Sequence, residues 1–423
     1  MVYRFREQIR KAKATGFGHI FGANIVNQII VFASSFILIR ILSKSEYGIY
    51  SYALNIYSFF ALLCGCGMES AGLQMCSEKA DNPQKAEGYL KFAILVGSGF
   101  NLLLGAAIGI SAAFFTFSME GVNEILGLYV ALPFLTTIFN CIQTYYRYNF
   151  MNAVYSKLMV VNTVLILIGS VSGALFFKVQ GLVIFREFAF VFSILCGIAV
   201  YKFPLYRILK AIQISMTEKI DMLKIAFISM LNIATGQLLY LLDVFLIGIL
   251  IPNELIVASY KTATIIPNAL VFIPSALVVY IYPYFAQHQN DKKWVKSKFL
   301  TVLKYFVPFN AVLTLGLVVF APLIIKILFG AQYLDAVPAF RILSVSYFFS
   351  ASFRKIIGNL LVTQRKLKVN FWIGVMEGVL NLISNWILIS FMGAIGAAIT
   401  TLVICIVTSV ISLSYFLHLL KKK

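Results

Sequence analysis

The sequence predicts an all-α polytopic membrane protein of about twelve transmembrane helices in two six-helix bundles. Three observations predict it. Hydrophobic residues make up 61% of the 423 positions and charged residues 12%, about half of the roughly 25% charged content of soluble domains. Apolar stretches recur at the length of about 20 residues that a spanning helix needs. Lys and Arg gather in alternate gaps between those stretches.

The expected spans are 17–41, 49–71, 90–117, 125–146, 155–177, 181–201, 225–250, 257–283, 299–329, 336–361, 369–391 and 394–418. The runs are continuous rather than alternating, which favours helices over a membrane barrel. The first span has a basic leader, but its apolar length exceeds a signal-peptide core and no small-residue cleavage site follows. It reads as an uncleaved first helix.

Cytoplasmic loops collect Lys and Arg. The N-terminal segment, every second gap and the C-terminal lysines together hold 28 of the 35 basic residues. The exceptions are Arg40, Lys44, Lys178, Arg186, Lys261, Lys326 and Arg341. The pattern predicts an inner-membrane protein with both termini cytoplasmic. It also accounts for the formal charge of +19 without nucleic acid as a partner.

The spans divide evenly into residues 1–210 and 211–423, with a basic linker near 202–224. At an offset of 210, Tyr50-Ser51-Tyr52-Ala53 falls on Tyr260-Lys261-Thr262-Ala263, Ser43 on Asn253 and Asn27 on Gln237. Six helices per half insert both halves the same way up, as in parallel repeats with a substrate path between them. Tyr206 to Ile212 mixes apolar and basic residues, and reads equally as an interfacial helix or a plain loop. Pro267, Pro274 and Pro283 fall in span 8, and Pro308 and Pro322 in span 9. Interior prolines remove a helix hydrogen bond, so Pro267 and Pro274 mark span 8 as the expected gating helix or as a fixed kink.

An ionisable residue at mid-membrane costs roughly 2.5–3.5 kcal/mol on insertion scales and marks a cavity or a partner. Asp243 and Lys261 lie at similar depth on neighbouring spans 7 and 8. They read as a structural ion pair, as a proton- or cation-linked switch, or as an anion site at Lys261. Arg186 and Glu187 are adjacent in span 6 and point to different faces. Arg341 lies in span 10 and Glu377 in span 11, while Arg40 and Glu69 lie near span ends, where snorkelling is the default. The cavity candidates are therefore Arg40, Arg186, Asp243, Lys261, Arg341 and Glu377. Four are cations, which suits an anionic cargo, since arginine binds phosphate as a bidentate fork.

Soluble-enzyme signatures are missing: there is no Walker sequence, HExxH or GxSxG. No cofactor is expected. Six cysteines lie in or beside spans without metal-ligand spacing, and His19, His288 and His418 are scattered; no metal site is expected either.

Several short stretches carry a family likeness. They are Arg40-Ile41-Leu42 with Tyr47-Gly48, Asp243 with Ile247-Gly248, Ala258-Ser259-Tyr260 with Ala263, Tyr282-Pro283, and Leu328-Phe329-Gly330 with Tyr333 and Ala336. In this order and spacing the chain resembles the Wzx-type polysaccharide flippases, of the superfamily that includes multidrug-extruding MATE transporters and lipid II flippases. Ser259 stands where the family usually has Gly. The resemblance implies a MATE-like fold and movement of polyprenyl-diphosphate-linked oligosaccharide between leaflets by rocking of two bundles. It also implies membrane lipid, a polysaccharide polymerase and chain-length machinery as partners, and coupling to a proton or sodium gradient, common in the superfamily. A MATE-type multidrug/cation antiporter is the alternative transporter. An integral-membrane polysaccharide-synthesis enzyme is the alternative from another class, but its typical large outer loop is absent.

Overall fold

A computed structural model describes residues 17–79 and 81–421, and every regular element among them is helical. The basic residues Arg4 to Lys13 and the terminal Lys422 and Lys423 lie outside the described residues. Ten helical runs among the described residues are long and apolar enough to cross a membrane by length and composition. The difference from the expected twelve arises at two places. Asn152–Ala199 forms one run broken by non-helical Phe177 and Lys178. Met216–Leu250, which holds the expected span 225–250, is one continuous helix that is not among the ten.

The helices turn their polarity inside out. On Lys292–Val319, Asn310 is fully buried while Val312 is 72% exposed, with Phe309 and Leu315 also outward. On Leu367–Met392, Asn381 and Asn385 are buried while Ile383, Trp386 and Phe391 are exposed. Water would favour the reverse; a hydrocarbon solvent makes apolar side chains the outer surface and pushes polar groups inward to find partners.

The chain divides into two compact units, Met1–Leu241 and Leu242–Lys423. In the first, Lys44–Ala61 starts at a capping box: Ser43 Oγ accepts from Glu46 N at 3.2 Å, and Ser43 N donates to Glu46 Oε2 at 2.9 Å. Such caps satisfy backbone donors that a helix start leaves open. The expected continuous span 49–71 is interrupted at Cys64–Gly67, where Gly65, Cys66 and Gly67 take positive φ, and the chain resumes as Met68–Glu78. Asn101 on Pro83–Phe114 holds the break. Its Oδ1 accepts from Gly65 N at 2.7 Å, and its Nδ2 donates to Pro133 O and Thr137 Oγ1, both at 2.6 Å. The break exists because another backbone needs the space: a Cβ on Gly67 would overlap the Ala226 carbonyl of Met216–Leu250. The Asn152–Ala199 run folds back on itself by the same device, with Gly173 and Gly181 in backbone contact.

The basic gaps of this unit meet at one end. Lys85 Nζ lies 2.6 Å from Glu218 Oε1, and Arg207 Nη2 lies 2.6 Å from Glu87 Oε1 and 3.2 Å from Tyr145 Oη. The Tyr206 to Ile212 stretch contains a five-residue helix, Leu205–Leu209, pinned by buried Ile208; Lys91 Nζ donates to Ala211 O at 3.0 Å. The opposite gaps meet elsewhere, where Lys178 Nζ lies 2.7 Å from Glu46 Oε1. Span alternation predicts this sorting.

In the second unit, Asn253 caps Glu254–Leu270 and Asp291 caps Lys292–Val319. Val271 interrupts the helical run between Pro267 and Pro274, the two prolines marked by the sequence. Pro322 departs from expectation: it begins a separate short helix, Ala321–Leu328, where proline's missing N–H is harmless. Gly330, at φ +106°, and the turn Ala331–Ala336 then bring in buried Tyr333. The next run, Val337 to Thr363, contains a π turn at Ser350–Arg354. Phe285, Val295, Phe299, Leu360, Leu361, Phe416 and Leu420 pack into one cluster, so the basic gaps of this unit also share an end with the C-terminal helix Ala394–Lys421.

Two outcomes test this packing. Gly67→Val adds a left-handed strain of about 1–2 kcal/mol and an overlap costing about 1–3 kcal/mol. The yield of folded detergent-solubilised protein and its Tm should both fall, whereas the exposed Gly99→Val should leave both unchanged. Second, the Lys85 ammonium and the Ser215 backbone N–H hold the Glu218 carboxyl down to about 2. A depressed carboxyl stabilises the fold above its unfolded pKa, and the benefit is lost as pH falls from there towards 2. The Tm difference between wild type and Glu218→Gln should therefore persist from pH 7 to 5 and shrink below about pH 4. A pH-independent difference contradicts the assignment.

Candidate functional site

In the second unit, a carboxylate sits among neutral donors from three other helices. Asp243, on Met216–Leu250, accepts from Tyr260 Oη at 2.8 Å and Thr401 Oγ1 at 2.8 Å on Oδ2. Its Oδ1 accepts from Asn385 Nδ2 at 2.7 Å and Asn381 Nδ2 at 3.3 Å. Asn385 Nδ2 also donates to Asn381 Oδ1 at 3.0 Å. Tyr260 and Asn385 are fully or almost fully buried. The helical spacing explains the convergence: Asn381 and Asn385 are four apart on one face of Leu367–Met392.

The Asp243–Lys261 ion pair is not formed. Tyr260 takes the position facing the carboxylate, and adjacent residues of a helix point apart. Among the described residues, the Lys261 ammonium makes no hydrogen bond or ion pair. The lysine is partly buried on Glu254–Leu270.

Glu377 has a partner that the sequence does not single out. Arg354 lies inside the helical run at the π turn, and its Nη2 is 3.4 Å from Glu377 Oε2. Arg354 Nη1 also donates to Asn370 Oδ1 at 3.0 Å. This is a largely buried, three-residue structural network. Arg341 is exposed and its Nε donates to the Val318 carbonyl at 3.1 Å, at the C-terminal end of Lys292–Val319. A cation there meets the negative end of the helix dipole. Asp243, Glu377 and Arg341 therefore take three separate sets of partners.

In the first unit, Arg40 lies exposed in the last turn of Phe17–Ile41. Arg186 lies within the hydroxyl field of Tyr50, Tyr57 and Tyr129 and donates to Tyr50, while its Nε is buried without a partner. Tyr57 and Tyr129 stack with ring centroids 4.6 Å apart. The guanidinium thus retains donor capacity. Its neighbour Glu187 faces the Leu132 backbone.

The site residues missing from the sequence reading are neutral: Asn381, Asn385 and Thr401 around Asp243, and the tyrosines around Arg186. Two asparagines one turn apart in an apolar span are the signal that could have found the first set. The motif residues settle mainly as architecture. Ser259 Oγ donates to Asp335 Oδ2 at 2.7 Å, and Leu42, Tyr47, Ile247, Phe329 and Tyr333 are buried. Among the described residues no group of three or more His, Cys, Asp or Glu could hold a metal ion.

Comparison with known proteins then places the chain. Among curated proteins, no sequence matches it. A solved structure described as the inward-facing conformation of a multidrug resistance MATE family transporter of the MOP superfamily is similar to it, at TM-score 0.78 and 14% identity, covering 93% of this chain and 94% of the other. The lipid II flippase MurJ in an inward closed conformation is similar at TM-score 0.73 and 15% identity, covering 95% and 87%. A point mutant of the Vibrio cholerae MATE transporter VcmN is similar at TM-score 0.62 and 14% identity, covering 98% of both chains. At these identities the likeness establishes a shared fold, MATE-like as expected. Residues 37–338 match the family described as polysaccharide biosynthesis protein. That stretch is most of the chain and contains Arg40, Arg186, Asp243 and Lys261; the chain is a multi-pass membrane protein belonging to the polysaccharide biosynthesis protein family.

Proposed function

We propose that the protein is a flippase. It moves polyprenyl-diphosphate-linked oligosaccharide units from the inner to the outer leaflet of the cell membrane for surface polysaccharide synthesis, such as O-antigen, capsule or exopolysaccharide. The observation that carries this reading is the family match over residues 37–338 on a fold shared with a lipid II flippase. The inverted polarity of the helices suits such cargo: the polyprenyl tail stays in lipid while the sugar head meets the polar interior. Arg186, with spare donor capacity among three tyrosines, suits the diphosphate. The reading places both termini in the cytoplasm and treats the chain as a transporter rather than an enzyme. A polysaccharide polymerase and chain-length machinery would act downstream.

Asp243 is proposed as the point where a proton or sodium gradient acts. Its carboxylate takes four hydrogen bonds from neutral donors and has no cationic partner. The side-chain oxygens of Asn381, Asn385 and Thr401 are of the hard type that suits sodium. The helical run that carries Tyr260 is broken at Val271, between Pro267 and Pro274, and provides a hinge about three turns further along. The same carboxylate would also suit a cation antiporter, which is the second reading.

Deletion should block surface polysaccharide and leave lipid-linked repeat units accumulating on the inner leaflet. Normal surface polysaccharide with heightened sensitivity to cationic drugs favours the antiporter instead. Asp243→Asn keeps the shape but removes the charge. It should slow export about tenfold or more, equivalent to about 1.4 kcal/mol, at unchanged membrane abundance. It should also abolish any dependence on the proton or sodium gradient. Full gradient-dependent export by this variant contradicts the coupling role.

A further inference from the structure

The first unit contains a polar cavity of about 220 Å³ lined by Glu69, Asn140, Gln143, Thr144, Arg147 and Tyr155. Four of these lie on Leu132–Tyr148 at spacings of three and four residues, so one face of that helix forms a continuous polar wall. Met68–Glu78 supplies Glu69, immediately after the broken turn Cys64–Gly67. Asn152–Ala199 supplies Tyr155 in its first turn.

The wall is only partly self-satisfied. Glu69 Oε2 accepts from Asn140 Nδ2 at 2.9 Å, and Oε1 accepts from Thr137 Oγ1 at 3.4 Å. A carboxylate offers about four acceptor positions, so Glu69 retains capacity. The Nε2 atom of Gln143 is buried and has no partner. Arg147 lies over the Tyr155 ring, 5.4 Å from its centroid. Among the described residues it makes no ion pair or side-chain hydrogen bond. Buried polar groups are nearly always paired, and an orphan calls for a reason. Here the buried orphan amide of Gln143 and the under-used Glu69 carboxylate face the same space, with the exposed guanidinium of Arg147 at its rim.

These groups complement a single ligand chemistry. Glu69 accepts from hydroxyls, Gln143 both donates and accepts, and Arg147 binds an anion as a planar fork. The volume lies below the roughly 300 Å³ at which drug-sized sites begin, so it suits one ring rather than a chain of rings. Leu73 is the one aliphatic side chain in the lining, so the wall offers hydrogen-bonding groups more than apolar surface. We propose that this cavity binds one hexose ring bearing an anionic group, with ring hydroxyls on Glu69 and Gln143 and the anion at Arg147. The transport reading supplies the source: the ring is the first sugar of the lipid-linked cargo, its phosphate beside Arg147. By the charge pattern this end of the unit is cytoplasmic, so the cavity reads the sugar before it crosses.

The test measures binding rather than transport. Saturation-transfer NMR on the full chain in nanodiscs, with glucose 1-phosphate and N-acetylglucosamine 1-phosphate as probes, should give ring-proton signals from at least one sugar. Gln143→Ala and Arg147→Ala should each weaken binding about tenfold at unchanged Tm, while the exposed Lys368→Ala in the other unit should not. Signals from neither sugar, or signals that survive both variants, overturn the site. Undecaprenyl-diphosphate-linked N-acetylglucosamine added to the nanodisc lipid should displace the free sugar. Binding without displacement overturns the assignment to cargo and leaves a site for a free sugar phosphate. A flippase whose export is normal but whose cavity binds no sugar would refute only the cavity; a cavity that binds sugar in a protein that exports none would refute only the transport reading.

Discussion

The structure depends on one constraint: within lipid, every polar group must find its partner inside the protein. The constraint explains the helices and their inverted polarity together. Asn310 is buried against Tyr347, whose hydroxyl donates to it at 3.2 Å, while its neighbours on the helix present Phe309 and Val312 outward. It also explains how breaks are tolerated. Cys64–Gly67 leaves regular helix, and the freed Gly65 N–H goes to Asn101. Non-helical backbone at this depth survives only where protein supplies the lost hydrogen bond; Asn101 Oδ1 supplies it, while its Nδ2 ties the break to Pro133 and Thr137.

The same constraint is met by different charges in the two units. Ser43 and Asn253, 210 residues apart, both cap the second helix of their unit. Seven residues into each helix stands a buried tyrosine, Tyr50 or Tyr260. A tyrosine hydroxyl both donates and accepts, so one scaffold position can serve either charge. Tyr50 accepts from the guanidinium of Arg186, and Tyr260 donates to the carboxylate of Asp243. The cap and the tyrosine recur 210 residues apart, whereas the ionised partner lies on a different helix in each unit.

The sequence therefore reveals the architecture and the ionisable residues more readily than their surroundings. Apolar runs, alternating basic gaps and the prolines around Val271 are local patterns, and most of the expected runs coincide with helices. Asp243 and Arg186 stand out because charges are rare in such runs. The breaks at Cys64–Gly67 and Phe177–Lys178 do not stand out, because both arise from close approach by backbone distant in sequence or folded back on itself. Arg354 escapes notice for a similar reason: it stands near the end of an apolar run, and only the fold brings Glu377 and Asn370 to it. Neutral donors escape notice altogether: an asparagine in a span has no charge to flag it, yet Asn385 makes the shortest hydrogen bond to Asp243.

The substitution of Tyr260 for Lys261 as the neighbour of Asp243 has a physical consequence. A lysine has three donors and no acceptor. Paired with Asp243, it would hold the carboxylate ionised, and protonating the acid would strand a buried ammonium, the costly outcome for a broken buried pair. Hydroxyls and amides behave differently. A proton arriving on Asp243 turns the acid into a donor, and Tyr260 or Thr401 can rotate its hydroxyl to accept, while Asn381 and Asn385 present carbonyl oxygens as well as amide protons. Every partner around this carboxylate can serve both charge states. Within a medium that penalises unpaired groups, such a neutral shell satisfies the carboxyl group without a buried cation.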